Sequence, residues 1–320
     1  MRIVFMGTPD FSVGTLEAVV AAGHEVACVV TQPDKPKGRG KAMAFPPVKE
    51  TALAHNIPVY QPVKVREEGF VKMLRDMAPD AIVVVAFGQI LPESILNIPK
   101  YGCINVHASL LPKYRGAAPM QWAIINGEKE TGITTMFMAK GLDTGDMIDK
   151  TVIPVEAKET GETLHDKLSA AGGPLILKTL ADLEAGTARR IPQDDKDSSY
   201  AGMLTRELGE IDWTKSAIAI ERLIRGLNSW PSAYTHMHGK TLKIWDADVT
   251  PDMEVAGEDA AGLPVPGTVT RVTKDSIYVQ TGDGQLKLNE VQLQGKKRMP
   301  VQAFLLGNKV EKGMVYGRQD

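Results

Sequence analysis

Three polar side chains stand in stretches where the surrounding sequence is apolar. Asn105 and His107 alternate within Cys103-Ile104-Asn105-Val106-His107, which reads as a strand, so both point to one face of a sheet. Valine or isoleucine would suit such a strand better. The pair lies near the strand's C-terminal end, where open α/β sheets bind ligands, and a Pro- and Gly-marked loop follows. The third residue is Asp143, in Lys140-Gly141-Leu142-Asp143-Thr144-Gly145-Asp146, directly after a second strand over 133–138. Taken singly, each has a plain alternative: a satisfied structural histidine, a turn asparagine, a turn aspartate in a D-x-G loop. Taken together they suit acid–base chemistry. From the edge of its strand the carboxylate is expected to reach His107, where it would favour the imidazolium and fix the ring's orientation.

Other chemistries find little support. Gly7-Thr8-Pro9-Asp10-Phe11 follows the first strand, yet it carries neither G-x-G-x-x-G nor G-x-x-x-x-G-K-[ST], and Pro9 and Phe11 add bulk where a pyrophosphate needs backbone. It reads as a strand-to-helix turn. No G-x-S-x-G elbow is present. The two cysteines, Cys28 and Cys103, sit in apolar runs and form no C-x-x-C pair, so they read as buried thiols. His236-x-His238 lacks a third ligand, and no metal is expected. A chain of 320 residues with 43% hydrophobic and 24% charged residues is not a disordered one, and a net charge of -2 excludes a uniformly basic nucleic-acid coat. No apolar run reaches the roughly 18 residues of a membrane span. A soluble cytoplasmic protein is expected, and nothing in the sequence demands more than a monomer.

Apolar runs at 2–6, 25–31, 81–87, 103–107 and 133–138 alternate with helical stretches at 10–22, 47–55 and 160–184. This spacing predicts an α/β domain built on an open, mostly parallel, Rossmann-like sheet. The uninterrupted run at 81–87 suits a central strand, and Thr160 is a candidate N-cap for the last helix. Residues 186–200 turn polar. A helix over 215–227 would carry Ile218, Leu223, Ile224 and Leu227 on one side, and short strands separated by Gly and Pro then predict a small β-barrel or sandwich. The expected division is 1–188, a linker over 189–206, and 207–320.

Asn105-x-His107, the following Ser109-Leu110-Leu111-Pro112, and Leu142-Asp143-x-Gly145 together resemble the active site of the folate-dependent formyltransferases. Gly7-Thr8-Pro9, residues 32–41, Ile211-Asp212-Trp213, Ile224-Arg225 and Trp230-Pro231 are similar to the branch of that family acting on methionyl-tRNA. The likeness runs over nearly the whole chain and departs at 228–232, where a Pro before Trp230 and a Gly after Pro231 are expected.

The resemblance implies the formyltransferase fold with an OB-like C-terminal barrel that binds tRNA. It implies transfer of a formyl group from 10-formyltetrahydrofolate to the α-amino group of methionyl-initiator-tRNA. The substrate's own amine is then the nucleophile, so no serine or cysteine is needed. Asn105 and protonated His107 would donate to the developing oxyanion, and Asp143 would keep His107 charged and help move the proton. Ser109, Leu110, Leu111 and Pro112, with the backbone from Phe87 to Leu91, would contact the folate.

Residues 33–49 hold Lys35, Lys37, Arg39, Lys41 and Lys49 against Asp34 alone. This is either a solvated loop or, as the resemblance implies, a reach to the acceptor stem, with Arg39 and Lys41 foremost. Residues 246–259 carry Asp246, Asp248, Asp252, Glu254, Glu258 and Asp259, whereas Lys296, Lys297 and Arg298 lie within a basic stretch over 287–318 that ends at Arg318. That stretch is either ordinary surface charge or a face for RNA backbone. Three other readings stay open: a sugar-nucleotide formyltransferase, a hydrolase releasing formate from the folate, and a non-catalytic RNA-binding protein. The basic 33–49 segment and the C-terminal domain argue against the first.

Overall fold

The computed structural model describes residues 1–37, 42–250 and 264–317. Arg39, Lys41, Asp252, Glu254, Glu258, Asp259 and Arg318 lie outside the described residues. The chain forms two compact units. The first takes Met1–Pro119, Glu130–Pro154 and Leu164–Gly202, and the second takes Met120–Lys129, Val155–Thr163 and Met203–Asp320.

In chain order the elements up to the site are β1 (Arg2–Gly7), α1 (Val13–Ala21), β2 (Glu25–Val30), β3 (Lys35–Lys37), β4 (Ala42–Ala44), α2 (Pro47–Ala54), β5 (Val59–Tyr60), α3 (Glu68–Asp76), β6 (Ala81–Val85), α4 (Glu93–Leu96), β7 (Cys103–His107) and β8 (Arg115–Gly116). There follow α5 (Pro119–Ile125), β9 (Glu130–Phe137), β10 (Met147–Pro154), α6 (Gly161–Ala185) and β11 (Tyr200–Ala201). The main sheet of the first unit has the order β10-β9-β7-β6-β1-β2-β5. Five strands are parallel, while β9 and β10 form an antiparallel pair at one end, β9 running against β7. All five residues of β6 are buried, as its unbroken run of β-branched side chains requires of a strand covered on both faces. The chain builds outward from β1 to β2 and β5, then returns to set β6 on the other side of β1. That reversal leaves a crevice at the C-terminal ends of β1 and β6.

One face of the sheet joins Val4, Met6, Cys28, Val30, Ile82, Val84 and Cys103 to Leu74 of α3 and Ile95 of α4 in a single core. On the other face α6 lies close to α1. Its Gly172 is so near that a Cβ there would meet Thr15 Oγ1 at 2.7 Å. Thr160 caps α6 as expected, its Oγ1 accepting from Thr163 N at 3.2 Å.

The expected linker is not a free segment. Residues up to Gly202 belong to the first unit, and β11 pairs with β8. Polar side chains that suggest a solvated tether from composition, Gln193 and Ser199 among them, are bonded to the chain around them.

The second unit adds α7 (Ala217–Gly226), β12 (Ala233–Met237), β13 (Lys240–Thr250), β14 (Val269–Val272), β15 (Ile277–Gln280), β16 (Gln285–Leu293), β17 (Met299–Pro300) and α8 (Val301–Leu305). Its antiparallel sheet has the order β12-β13-β16-β15-β14, with β17 on β16. This is consistent with a small OB-like barrel, and among the described residues no ladder joins β12 to β14. Trp213, Ile220, Ile224, Leu242, Ile244, Leu286, Leu288 and Phe304 share its core. Emptying the Phe304 site by substitution with alanine would cost about 3–5 kcal/mol. The buried stripe of α7 is Ala217, Ile220 and Ile224, continued by Leu227, while Ile218 is 49% exposed, so the expected apolar side is rotated. Among the described residues no helix is long and apolar enough to cross a membrane.

Candidate active site

Strand β7 is paired on both sides, to β6 and to β9, and so cannot slip without breaking two ladders. Its register sets Asn105 beside Val84 and Met136, and His107 beside Thr134. Asn105 and His107 share a face with Cys103, as alternation predicts. The imidazole is 6% exposed. Its Nε2 lies 2.9 Å from the carbonyl of Tyr114. A carbonyl only accepts, so Nε2 carries a proton, and Nδ1 is the nitrogen left to face the site.

Nδ1 stands 3.7 Å from Asp143 Oδ2. Asn105 Nδ2 donates to Asp143 Oδ1 at 3.3 Å, and the main-chain N–H of Gly116 donates to Asp143 Oδ2 at 2.9 Å. Only one of the two Asn105 amide protons is used in this way, which leaves the second for a ligand. The three side chains expected to act together therefore meet at one place.

Asp143 arrives there by a different route from the one expected. Because β9 runs against β7, Phe137 ends beside Ile104, at the start of β7, and not beside His107. The segment over 138–146 must travel back along the sheet. It starts with Met138 N donating to Cys103 O at 2.8 Å and closes with Phe137 N donating to Asp146 O at 2.9 Å. Gly145 permits the closure, since a Cβ there would sit 1.8 Å from Phe137 O. Asp143 itself takes a left-handed backbone conformation, φ +52°.

Sequence reasoning misses the residues that hold this loop. Gln193 Nε2 donates to the carbonyls of Asp143 (2.9 Å) and Gly145 (2.7 Å). Arg115 Nε donates to Gln193 Oε1 at 3.0 Å, and Arg115 Nη1 to Asp195 at 2.9 Å. Ser199 Oγ accepts from Tyr114 N at 2.9 Å. The Arg115-Gly116 step lies in the singled-out segment 101–119, but nothing in the sequence marks Gln193.

The expected folate contacts divide. Ser109 is fully buried, with its Oγ donating to Lys113 O and its carbonyl accepting from Thr134 Oγ1. Leu111 is also buried and donates its N–H to Thr134 Oγ1. Ser109 and Leu111 are thus enclosed, while Leu110 and Pro112 are half-buried. The side chains of Phe87 and Leu91 lie in the core, and the Phe87 carbonyl already accepts from Thr8 Oγ1 and Gln32 Nε2. What the end of β6 exposes is Ala86, Gly88 and Ile90, the first two with left-handed φ of +46° and +87°.

Among the basic residues, Lys49 is spent inside the protein. Its Nζ bonds both oxygens of Asp34 (2.9 and 2.7 Å) and Gln61 Oε1 (2.8 Å) at the base of the β3–β4 hairpin. Hydrogen bonds from Lys49 and Gln61 hold the Asp34 carboxyl below its usual value. Lys296 and Lys297 are exposed, whereas Arg298 pairs with Glu290 at 2.5 Å and lies 4.8 Å over the Trp245 ring. Burial pushes the thiols of Cys28 and Cys103 up to about 12, so neither is a ready nucleophile. Among the described residues no group of three His, Cys, Asp or Glu could hold a metal ion.

Comparison with known proteins bears on this geometry. Residues 1–180 match the family model for formyl transferase, and residues 203–309 the model for the formyl transferase C-terminal domain. A methionyl-tRNA formyltransferase of Agathobacter rectalis is 59% identical over 316 residues, 99% of each chain. One of Geobacter sulfurreducens is 51% identical over 317 residues, 99% of this chain and 97% of that relative. Among solved structures, the sugar 3N-formyl transferase WlaRD superimposes with a TM-score of 0.66 at 19% identity, covering 93% of this chain and 99% of that one. Both halves of the chain match, and most residues are shared with relatives of the same length. The chain therefore belongs to the formyl transferase family.

Proposed function

We propose that the protein transfers the formyl group of 10-formyltetrahydrofolate to the α-amino group of methionyl-initiator-tRNA, giving N-formylmethionyl-tRNA. The methionyl-tRNA substrate rests on relatives of that name at 59% and 51% identity over nearly the full length. The chemistry rests on one observation, the convergence of the Asn105 amide and His107 Nδ1 on the Asp143 carboxylate, at 3.3 and 3.7 Å.

The methionyl amine attacks the formyl carbon, and the carbonyl oxygen gains charge as the centre becomes tetrahedral. The free N–H of Asn105 and, in the imidazolium form, the Nδ1–H of His107 donate to that oxygen. The new N–C bond forms, the C–N10 bond breaks, and the proton lost by the amine is delivered to N10 by way of Asp143. An α-amine with a pKa near 8 is partly neutral at neutral pH, so it needs little activation. Among the described residues the hydrogen bonds to the Asp143 carboxylate come from neutral donors, the Gly116 N–H and the Asn105 amide.

The folate is read at the reversal point beside β6, where the exposed main chain of Ala86 and Gly88 can meet the alternating donors and acceptors of a pterin edge, with Ile90, Leu110 and Pro112 alongside. The tRNA is read by Arg39 and Lys41, which fall between β3 and β4 in the sequence, and by Lys296, Lys297 and Arg298 of the C-terminal unit. On this reading residues 1–188 form the catalytic part and 207–320 the tRNA-holding part. The reaction as written requires neither a metal nor a second copy of the chain, and it belongs to the cytoplasm, where its product is used.

A labelled formyl donor offered with methionyl-tRNA, with deacylated tRNA or with an amino-sugar nucleotide tests the assignment. Label is expected on methionyl-tRNA alone. Label on the amino sugar, or formate released without an acceptor, overturns it.

A further inference from the structure

Gln193 lies in the polar stretch after α6, on no predicted strand or helix, yet it makes two hydrogen bonds to the main chain of the loop that carries Asp143. Its Nε2 donates to two carbonyls at once, those of Asp143 at 2.9 Å and Gly145 at 2.7 Å. Its Oε1 accepts from Arg115 Nε at 3.0 Å, which fixes which end of the amide faces the loop. These bonds act on a backbone that needs them. Asp143 holds φ at +52°, a left-handed conformation less favoured than helix or strand even though aspartate tolerates it better than most residues, and a Cβ at Gly145 would sit 1.8 Å from Phe137 O. The rest of the stretch is anchored without Gln193. Ile191 and Met147 exchange two main-chain hydrogen bonds of 2.9 Å, Ser199 O accepts from Arg115 N, and Ala201 O accepts from Ala117 N.

We propose that Gln193 is a positioning residue, which sets the Asp143 carboxylate at its 3.7 Å distance from His107 by clasping the Asp143 and Gly145 carbonyls. This inference rests on the reading of Asp143 as a group that takes part in the transfer. Gln193 touches no reacting atom and works through the loop. With the clasp gone, the side-chain bonds from Gly116 N and Asn105 Nδ2 must hold Asp143 alone, and the carboxylate drifts relative to the ring. The other links of the stretch keep the fold intact.

The test compares Gln193→Ala, Gln193→Glu, Asp143→Asn and the double variant Gln193→Ala/Asp143→Asn in the full-length protein, in steady-state formylation of methionyl-tRNA. Gln193→Glu keeps the size of the side chain and an acceptor for Arg115, but turns an oxygen instead of an N–H toward two carbonyls. Both single Gln193 variants are expected to lose about 10- to 100-fold in kcat, the scale of an ångström's misplacement. KM for both substrates should stay within about twofold, as it does when only transition-state geometry suffers. In the Asp143→Asn background the Gln193 change should add nothing further, because it acts only through that carboxylate.

Wild-type kcat in Gln193→Glu overturns the proposal. So does an equal further loss in the double variant, which would mark an independent structural role, or a rise in KM at constant kcat, which would mark a direct hold on substrate. If Asp143→Asn alone keeps full turnover, the underlying reading of the site fails, and the positioning role falls with it.

Discussion

Asp143 and Asp248 are both carboxylates gripped by neighbours, and the grips differ in kind. In the first unit Asp143 receives a main-chain N–H from Gly116 and an amide N–H from Asn105. In the second unit Asp248 receives the Lys158 ammonium at 2.7 Å and the Asn289 amide at 2.9 Å, and these hold its carboxyl below the usual carboxylate value. Lys158 also approaches Glu221, which is itself bonded by Arg225 at 2.6 Å. The second arrangement neutralises its charges and is complete. The first restrains a carboxylate with neutral donors, and His107 Nδ1 stands 3.7 Å from it. Neutral donors around an acid leave its charge available for work, whereas paired cations make it part of the framework.

That contrast can be broken by substitutions in either unit. The largest effect belongs to Asn105→Ala. Turnover should fall by about two orders of magnitude, near 3 kcal/mol, with tRNA affinity unchanged. Single-turnover formylation and a binding isotherm check this, and a fall of less than about threefold would remove Asn105 from the oxyanion, being well under 1 kcal/mol. Gly145→Ala comes next. A methyl 1.8 Å from Phe137 O must displace the loop, and kcat should drop about tenfold or more while the melting temperature moves little. A variant as active as wild type would show that the loop position does not matter.

Outside the site the effects shrink. Lys296→Glu/Lys297→Glu should raise the tRNA KM and flatten its salt dependence, by about 0.9 in log–log slope for each phosphate no longer neutralised. Arg298→Ala should do less, since its guanidinium is already engaged by Glu290. An unchanged slope discards this surface. The smallest effect is that of Lys158→Met, about 1 kcal/mol of stability or below for so exposed a pair. Its pH dependence has a definite sign. The folded Asp248 carboxyl lies below its unfolded value, so the pairing contributes above that value and fades as pH falls through the folded one. The difference in melting temperature between wild type and variant should thus narrow from about pH 4 downward.

Much of this was legible in the residues. The β7 bounds follow from Cys103 to His107, because alternation against neighbours of opposite polarity is a local property. The meeting of Asn105 and His107 needs nothing more than that period. Asp143 is harder. Hydrophobic runs locate β9 but say nothing of its direction, and the return of the loop along the sheet depends on β9 being antiparallel. Residues 189–202 look like a tether because Gln193, Asp195 and Ser199 are polar. Polarity does not reveal whether such side chains face water or the chain itself: Asp195 stays 85% exposed while accepting from Arg115, whereas Gln193 and Ser199 bond the Asp143 loop and the Tyr114 N–H. Lys49 counts as a free cation in a charge tally for the same reason, though it is bound to Asp34. Ile218 shows the limit of a helical wheel, since a shift of one residue in the buried stripe sends it outward.

The Tyr114 carbonyl has one more effect. By engaging Nε2 of His107, it holds the ring in one orientation and leaves Nδ1 as the nitrogen turned toward the Asp143 carboxylate.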